Sequence, residues 1–292
     1  MTPEVRLKRL HSYISRMPSL STTVTKVLEI CNNPVSSPND LNRVISLDPV
    51  LTGQVLRLIN SAYYGIPNRV TSLTRAIIML GINTVKNLVL ATSVLATFAR
   101  NRSIGRARMD AFWEHSLCVG TTSKLMARMC KASPSEQEEY FVAGLLHDLG
   151  KLPMMACFGE LYNQAIQRFH EDGVLLFLAE REQMGFDHCN IGMLIGTRWK
   201  LSKRMLNAIV HHHEPFAEAS EPDNLLFFLS FANQMAHHLN AAQEGDGLVD
   251  ERLLRSLAEH IPVEASDVLA MKPQIDEEIE KARIFLKHTA GE

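Results

Sequence analysis

The sequence has no CxxC pair, no apolar run long enough to cross a membrane and no marked excess of charge of either sign. Its five cysteines, at positions 31, 118, 130, 157 and 189, are odd in number and scattered, which argues against a disulfide framework and suits reduced thiols in a cytoplasm. The longest apolar runs, such as LLFFLSFA from Leu225, fall well short of the roughly 18 residues a span requires. The opening segment MTPEVRLKRLHSYISRM lacks the apolar core of a signal peptide. A net charge of −2 supplies no global basic field toward nucleic acid or anionic lipid. These absences lead to the expectation of a cytoplasmic protein with neither membrane nor nucleic acid as a partner.

What is present is an ordinary globular composition, 46% hydrophobic and 21% charged. At 292 residues the chain is long enough for a substantial core in two lobes. Helix start and stop signals recur, and alternating strand patterns are nearly absent. Ser37-Pro38-Asn39-Asp40 and Asp48-Pro49 each offer a cap followed by a proline at the first helical position. Ser72 opens SLTRAIIML, which stops at Gly81, and Asn83 is expected to cap the helix that follows. Ser135 with Glu138 reads as a capping box, and Gly173 and Gly185 read as C-terminal stops. The fold class is therefore all-α. A polar seam at RNRSIGRAR (100–108) and a loose stretch AAQEGDG (241–247) divide the chain into an N-terminal helical lobe (1–105), a helical core (106–240) and a C-terminal helical extension (241–292). The helix–Gly–helix at 72–98 is not a DNA-binding helix-turn-helix. Its second helix carries only Lys86 as a cation and is apolar most of the way round.

The chemistry lies in the histidines. AGLLHDLGKL (143–152) sets His147 and Asp148 at the end of an apolar run. With 100° of rotation per residue, His115 shares its helix face with Ala111, Phe112, Cys118, Val119, Thr122, Met126 and Met129, all within about 60°. His188 shares its face with Ile191, Ile195 and Trp199. In His211-His212-His213 the last two flank Ile209 and turn inward, while His211 points to solvent. Four segments thus deliver ligand-type groups to an apolar interior. Each alone would pass for a hydrogen-bonded core histidine, but together they satisfy one another best around a shared cation. Nitrogen and carboxylate donors suit Fe, Mn, Zn, Ni or Co better than Mg or Ca.

Residues 17–90 resemble the amino-terminal signature of HDOD domain proteins, with DPVL, NSAYYG and the S-L-x-x-A-I-x-x-L-G run as the most specific pieces. Residues from about 109 to 240 resemble the core of the HD superfamily of metal-dependent phosphohydrolases. The resemblance implies one or two transition-metal ions (Fe, Mn, Zn or Ni) held by His115, His147, Asp148, His188, His212 and His213. It implies that Lys151 faces a substrate phosphate in active members, with Asp148 and Lys151 as the catalytic pair. Glu214 completes an H-H-E run. Active members place a final aspartate on a late helix; this chain has Asn233 there, which brings no negative charge, and His237 one turn on as a substitute. PFAEASEPD follows H-H-E where cyclic-dinucleotide enzymes carry a D-x-x-G-Y-P-like stretch. The resulting expectation is a bacterial signalling or regulatory protein with a metal-capable, weakly active or inactive pocket, a signalling protein as partner and a nucleotide or phosphoester as ligand. The rival expectation is a working metal-dependent phosphohydrolase.

Overall fold

Proline at the first helical position begins α1 (Pro3–Arg16), α3 (Pro38–Ile45), α4 (Pro49–Ile59) and α8 (Pro134–Leu146), the last three behind a capping side chain. In α1 the cap position, Thr2, makes no side-chain hydrogen bond. The structure, a computed structural model, describes residues 1–17, 20–31, 33, 35–67, 69–99, 104–239 and 249–283. Every regular element among them is a helix. The others are α2 (Thr22–Cys31), α5 (Leu73–Leu80), α6 (Ile82–Ala99), α7 (Arg106–Met129), α9 (Lys151–Asp172), α10 (Leu176–Met184) and α11 (His188–Arg198). They are followed by α12 (Lys203–His211), α13 (Asn224–His238), α14 (Glu251–Ala258), α15 (Ala265–Ala270) and α16 (Lys272–Ala282).

Helices α2 to α6 pack on one another as an N-terminal lobe, and α6 lies against α8. The pair α7 and α8 forms the centre of the second lobe, with α13 and α16 against α7, α12 and α13 against α8, and α9, α10 and α11 packed on one another with α11 also on α12. Although it precedes the first lobe in sequence, α1 packs on α9, and the Arg6 guanidinium donates to the Gln183 carbonyl. The segment Pro134–Asp172 is apolar and long enough to cross a membrane, yet 89% of its apolar window is buried in the protein, so it serves as core.

The NSAYYG turn couples the lobes. Asn60 donates to the carbonyls of Leu56 (2.7 Å) and Val70 (2.8 Å) and accepts from the Val70 N–H (2.7 Å). Gly65 takes φ 56°, the left-handed conformation the turn requires. Lys124 on α7 donates to the Tyr63 hydroxyl (2.8 Å) and pairs with Glu138 of α8 (2.6 Å), whose other oxygen accepts from Tyr64 (3.2 Å).

Several local expectations shift. The capping box is Ser133 with Glu136, not Ser135 with Glu138, because Pro134 fits the first helical position and so places the cap one residue before it. Glu138 then turns inward and is buried. Asn83 is no cap: α6 starts at Ile82 directly after Gly81, whose φ of 86° ends α5. Gly173 and Gly185 end α9 and α10 in left-handed conformations, as the sequence reading expected. Of the seam, residues 100–103 lie outside the described residues, while Arg106 and Arg108 already belong to α7. The stretch 241–247 also lies outside them.

Candidate metal centre

Two close helix contacts set the site. A Cβ on Gly144 of α8 would lie 2.4 Å from the Cα of Gly120 on α7, so these helices meet backbone to backbone. That contact brings His115 of α7 beside His147, the residue that caps α8. Residues 147–150 form the turn between α8 and α9. There a Cβ on Gly150 would lie 1.9 Å from the carbonyl oxygen of His188, so the turn is pressed against the start of α11.

Asp148 stands at the centre, fully buried. Its Oδ2 lies 3.5 Å from His115 Nε2, 3.3 Å from His147 Nε2 and 2.7 Å from Lys151 Nζ. Its Oδ1 lies 3.2 Å from His188 Nε2 and 3.7 Å from His212 Nε2. His188 Nε2 is in turn 3.1 Å from His213 Nε2 and 3.5 Å from His212 Nε2. The carboxylate therefore separates a His115–His147 group from a His188–His212–His213 group, with one oxygen toward each. His115, His147, Asp148, Lys151, His188, His212 and His213, all expected from the sequence, come together here.

Hydrogen bonds outside the cluster assign the tautomers. His147 Nδ1 lies 2.7 Å from the Gly144 carbonyl, His212 Nδ1 2.9 Å from that of Ile209, and His188 Nδ1 2.7 Å from Glu180 Oε2. Those oxygens only accept, so each Nδ1 carries the proton. In a neutral ring the Nε2 lone pair then faces the centre, the arrangement found in histidines that ligate metal. His147 Nε2 and both Asp148 oxygens have no well-aligned hydrogen-bond partner inside the protein.

The electrostatics point the same way. Burial pushes the Asp148 carboxyl up, but His147, Lys151 and His188 together hold it well below the ordinary carboxylate range. Burial pushes His188 down, and Glu180 foremost, with Asp148, holds it well above the usual imidazole value. Burial, then the neighbouring imidazoles of His213 and His147, keeps His212 well below its usual value, in the neutral form that ligates. Two buried carboxylates, Asp148 and Glu180, thus face Lys151 and His188, and a cation in the centre would take up the same negative charge with His188 as a neutral ligand.

Other expected residues sit differently. The Lys151 ammonium is buried, with Nζ on Asp148 Oδ2. Glu214 pairs with Arg181 at 2.6 Å, and Arg181 also binds Asp187 and covers the ring of Phe177. Phe177 stacks on His213, with ring centroids 4.7 Å apart. His211 is half-buried where solvent exposure was expected, and Met129, expected on the inward face with His115, is exposed at the frayed end of α7. Asn233 is buried on α13, a helix packed on both α7 and α8, and its Oδ1 has no hydrogen-bond partner among the described residues. The side chain of His237 lies outside the described residues.

Sequence reasoning missed two residues. Glu180, fully buried, accepts from both the ring and the backbone N–H of His188 (2.9 Å for the latter). Its position one turn from Leu176 and one from Met184, both buried, was a legible sign of an inward carboxylate. Cys189 lies 3.9 Å from His212 Nδ1.

The family model for the HDOD domain matches residues 17–215. A crystal structure of an HDOD domain protein of unknown function from Geobacter sulfurreducens superposes with a TM-score of 0.74 at 22% identity, covering 97% of this chain and 98% of that one. A protein from Shewanella amazonensis SB2B, provisionally named a phosphohydrolase, superposes at 0.71 with 25% identity, covering 96% and 98%. An uncharacterised protein of Treponema pallidum (strain Nichols) is 22% identical over 227 residues, which are 78% of this chain; the match spans 43% of that relative, less than half its length. An all-α architecture carrying this histidine–aspartate centre and a domain match over most of its length place the chain in the HDOD domain family.

Proposed function

We propose that the chain is a cytoplasmic bacterial signalling or regulatory protein whose HD-type pocket holds one or two transition-metal ions and hydrolyses phosphoesters weakly or not at all. One observation carries this reading: the Asp148 carboxylate lies between two groups of imidazoles whose Nε2 atoms converge on it. His115, His147 and Asp148 would hold one ion, and His188, His212, His213 and Asp148 a second. A divalent cation there would act as a Lewis acid toward a phosphate ester. Lys151 already gives part of its charge to Asp148, and Asn233, uncharged, stands where the active pattern has a carboxylate. Both features weigh against turnover and favour a binding role, with a nucleotide or phosphoester as ligand and a signalling protein as partner. The free thiols support the cytoplasmic assignment.

The rival reading, a working hydrolase, draws on the retained Lys151 and on the name of the Shewanella relative. Elemental analysis together with a nitrophenyl phosphodiester assay separates the two. Wild type should carry about one transition-metal ion or more per chain, lost in His147→Ala. Turnover with added manganese should be marginal, and Asn233→Asp should raise metal occupancy. Robust wild-type turnover that disappears in His147→Ala would establish the enzyme instead, and absence of metal from wild type would sink both.

A further inference from the structure

We infer that Cys189 is a metal ligand, and that with His188, His212 and His213 it makes one half of the centre selective for a thiophilic divalent cation such as zinc. The inference rests on the metal-binding reading above and adds a sulfur donor to it.

One ligand atom from each of these four residues lies within 4.8 Å of the others. The His188–His213 and His188–His212 separations of 3.1 and 3.5 Å bracket the edge of about 3.3 Å that two nitrogens span on a tetrahedral zinc ion. The surroundings of the thiol set it apart from the other cysteines. Cys118 is part of the apolar core, and Cys31, Cys130 and Cys157 pack against it. Cys189 is buried, yet it sits outside that apolar cluster, beside an imidazole cage. Its polar neighbours are both imidazoles of the cage: His212 Nδ1, whose N–H is already given to the Ile209 carbonyl at 2.9 Å, and the His188 side chain, with which it shares a hydrogen bond.

The chemistry divides the centre. His115, His147 and Asp148 offer nitrogen and oxygen, donors that manganese or iron accept readily. The Cys189 group adds a sulfur to three nitrogens and the Asp148 Oδ1 oxygen, a set that favours zinc. Binding would release the thiol proton to solvent as the metal–sulfur bond forms, with no change of oxidation state.

Cobalt(II) titration of the metal-free full-length protein tests this, since cobalt substitutes for zinc and reports its ligands spectroscopically. Wild type should develop visible d–d bands together with a near-ultraviolet sulfur-to-cobalt charge-transfer band. Cys189→Ser and Cys189→Ala should keep the d–d bands and lose the charge-transfer band. Their zinc affinity should fall by about tenfold or more while manganese affinity holds. A charge-transfer band that survives both variants, or d–d bands without one in wild type, would overturn the sulfur ligand and leave the metal site standing. No cobalt bands of either kind would overturn both.

Discussion

Asn60 and Cys31 show what single residues contribute to this molecule. Asn60 satisfies three backbone groups at once, two carbonyls and one N–H, which pins the NSAYYG turn to the end of α4. Its replacement by alanine leaves the Val70 N–H and carbonyl without that partner, while the Leu56 carbonyl keeps the backbone N–H of residue 60, so Asn60→Ala should cost about 2 kcal/mol in chemical denaturation, with metal content per folded chain unchanged. Cys31 is a thiol whose pKa burial pushes up to about 11, with Lys86 opposing. Only the thiolate alkylates, and at pH 8 that value leaves about one part in a thousand ionised. The rate of iodoacetamide labelling at Cys31, followed by peptide mass spectrometry, should rise about tenfold per pH unit from pH 8 to about 10. A rate that levels off near pH 9 would show an ordinary thiol.

At the scale of elements, glycine sets the distance between α7 and α8 and so the distance between His115 and His147. Gly144→Ala would drive a methyl group into the Gly120 backbone, where no side chain can move aside. It should destabilise the fold by about 2 kcal/mol or more and weaken metal binding in the surviving folded protein, read by urea titration and zinc affinity. Gly159 of α9 has nothing within 4 Å of a Cβ, so Gly159→Ala should be neutral or stabilise by up to about 1 kcal/mol. If both variants behave alike, the backbone contact is not what positions the histidines.

For the whole molecule, the centre joins α7, the α8–α9 turn, α11 and the end of α12, so an ion there ties together segments far apart in sequence. Because the unfolded chain lacks this geometry, free zinc at a hundred times its dissociation constant should stabilise the protein by about 2.7 kcal/mol. The melting temperature should rise accordingly, by about 2–4 °C for each kcal/mol. Scanning calorimetry with and without zinc measures it, and His147→Ala should abolish most of the rise. An equal rise in that variant would place the stabilising ion elsewhere.

Local signals carried much of this architecture. Proline after a capping side chain and glycine at a left-handed stop act within a few residues, so helix ends such as Ser37, Asp48, Gly173 and Gly185 were legible in the sequence. Helical phase is equally local, and it turned His115, His188 and His212 inward correctly. Where two capping signals lay close together, at Ser133 and Ser135, the sequence pattern alone chose wrongly. Partners across the fold left no comparable mark. Glu138 meets Tyr64 across 74 positions, and Glu214 meets Arg181 across 33. Which carboxylate orients His188, and which thiol stands beside His212, is decided by helix packing. A side chain's own sequence position fixes the face it occupies, but only the crossing of one helix on another determines what that face meets.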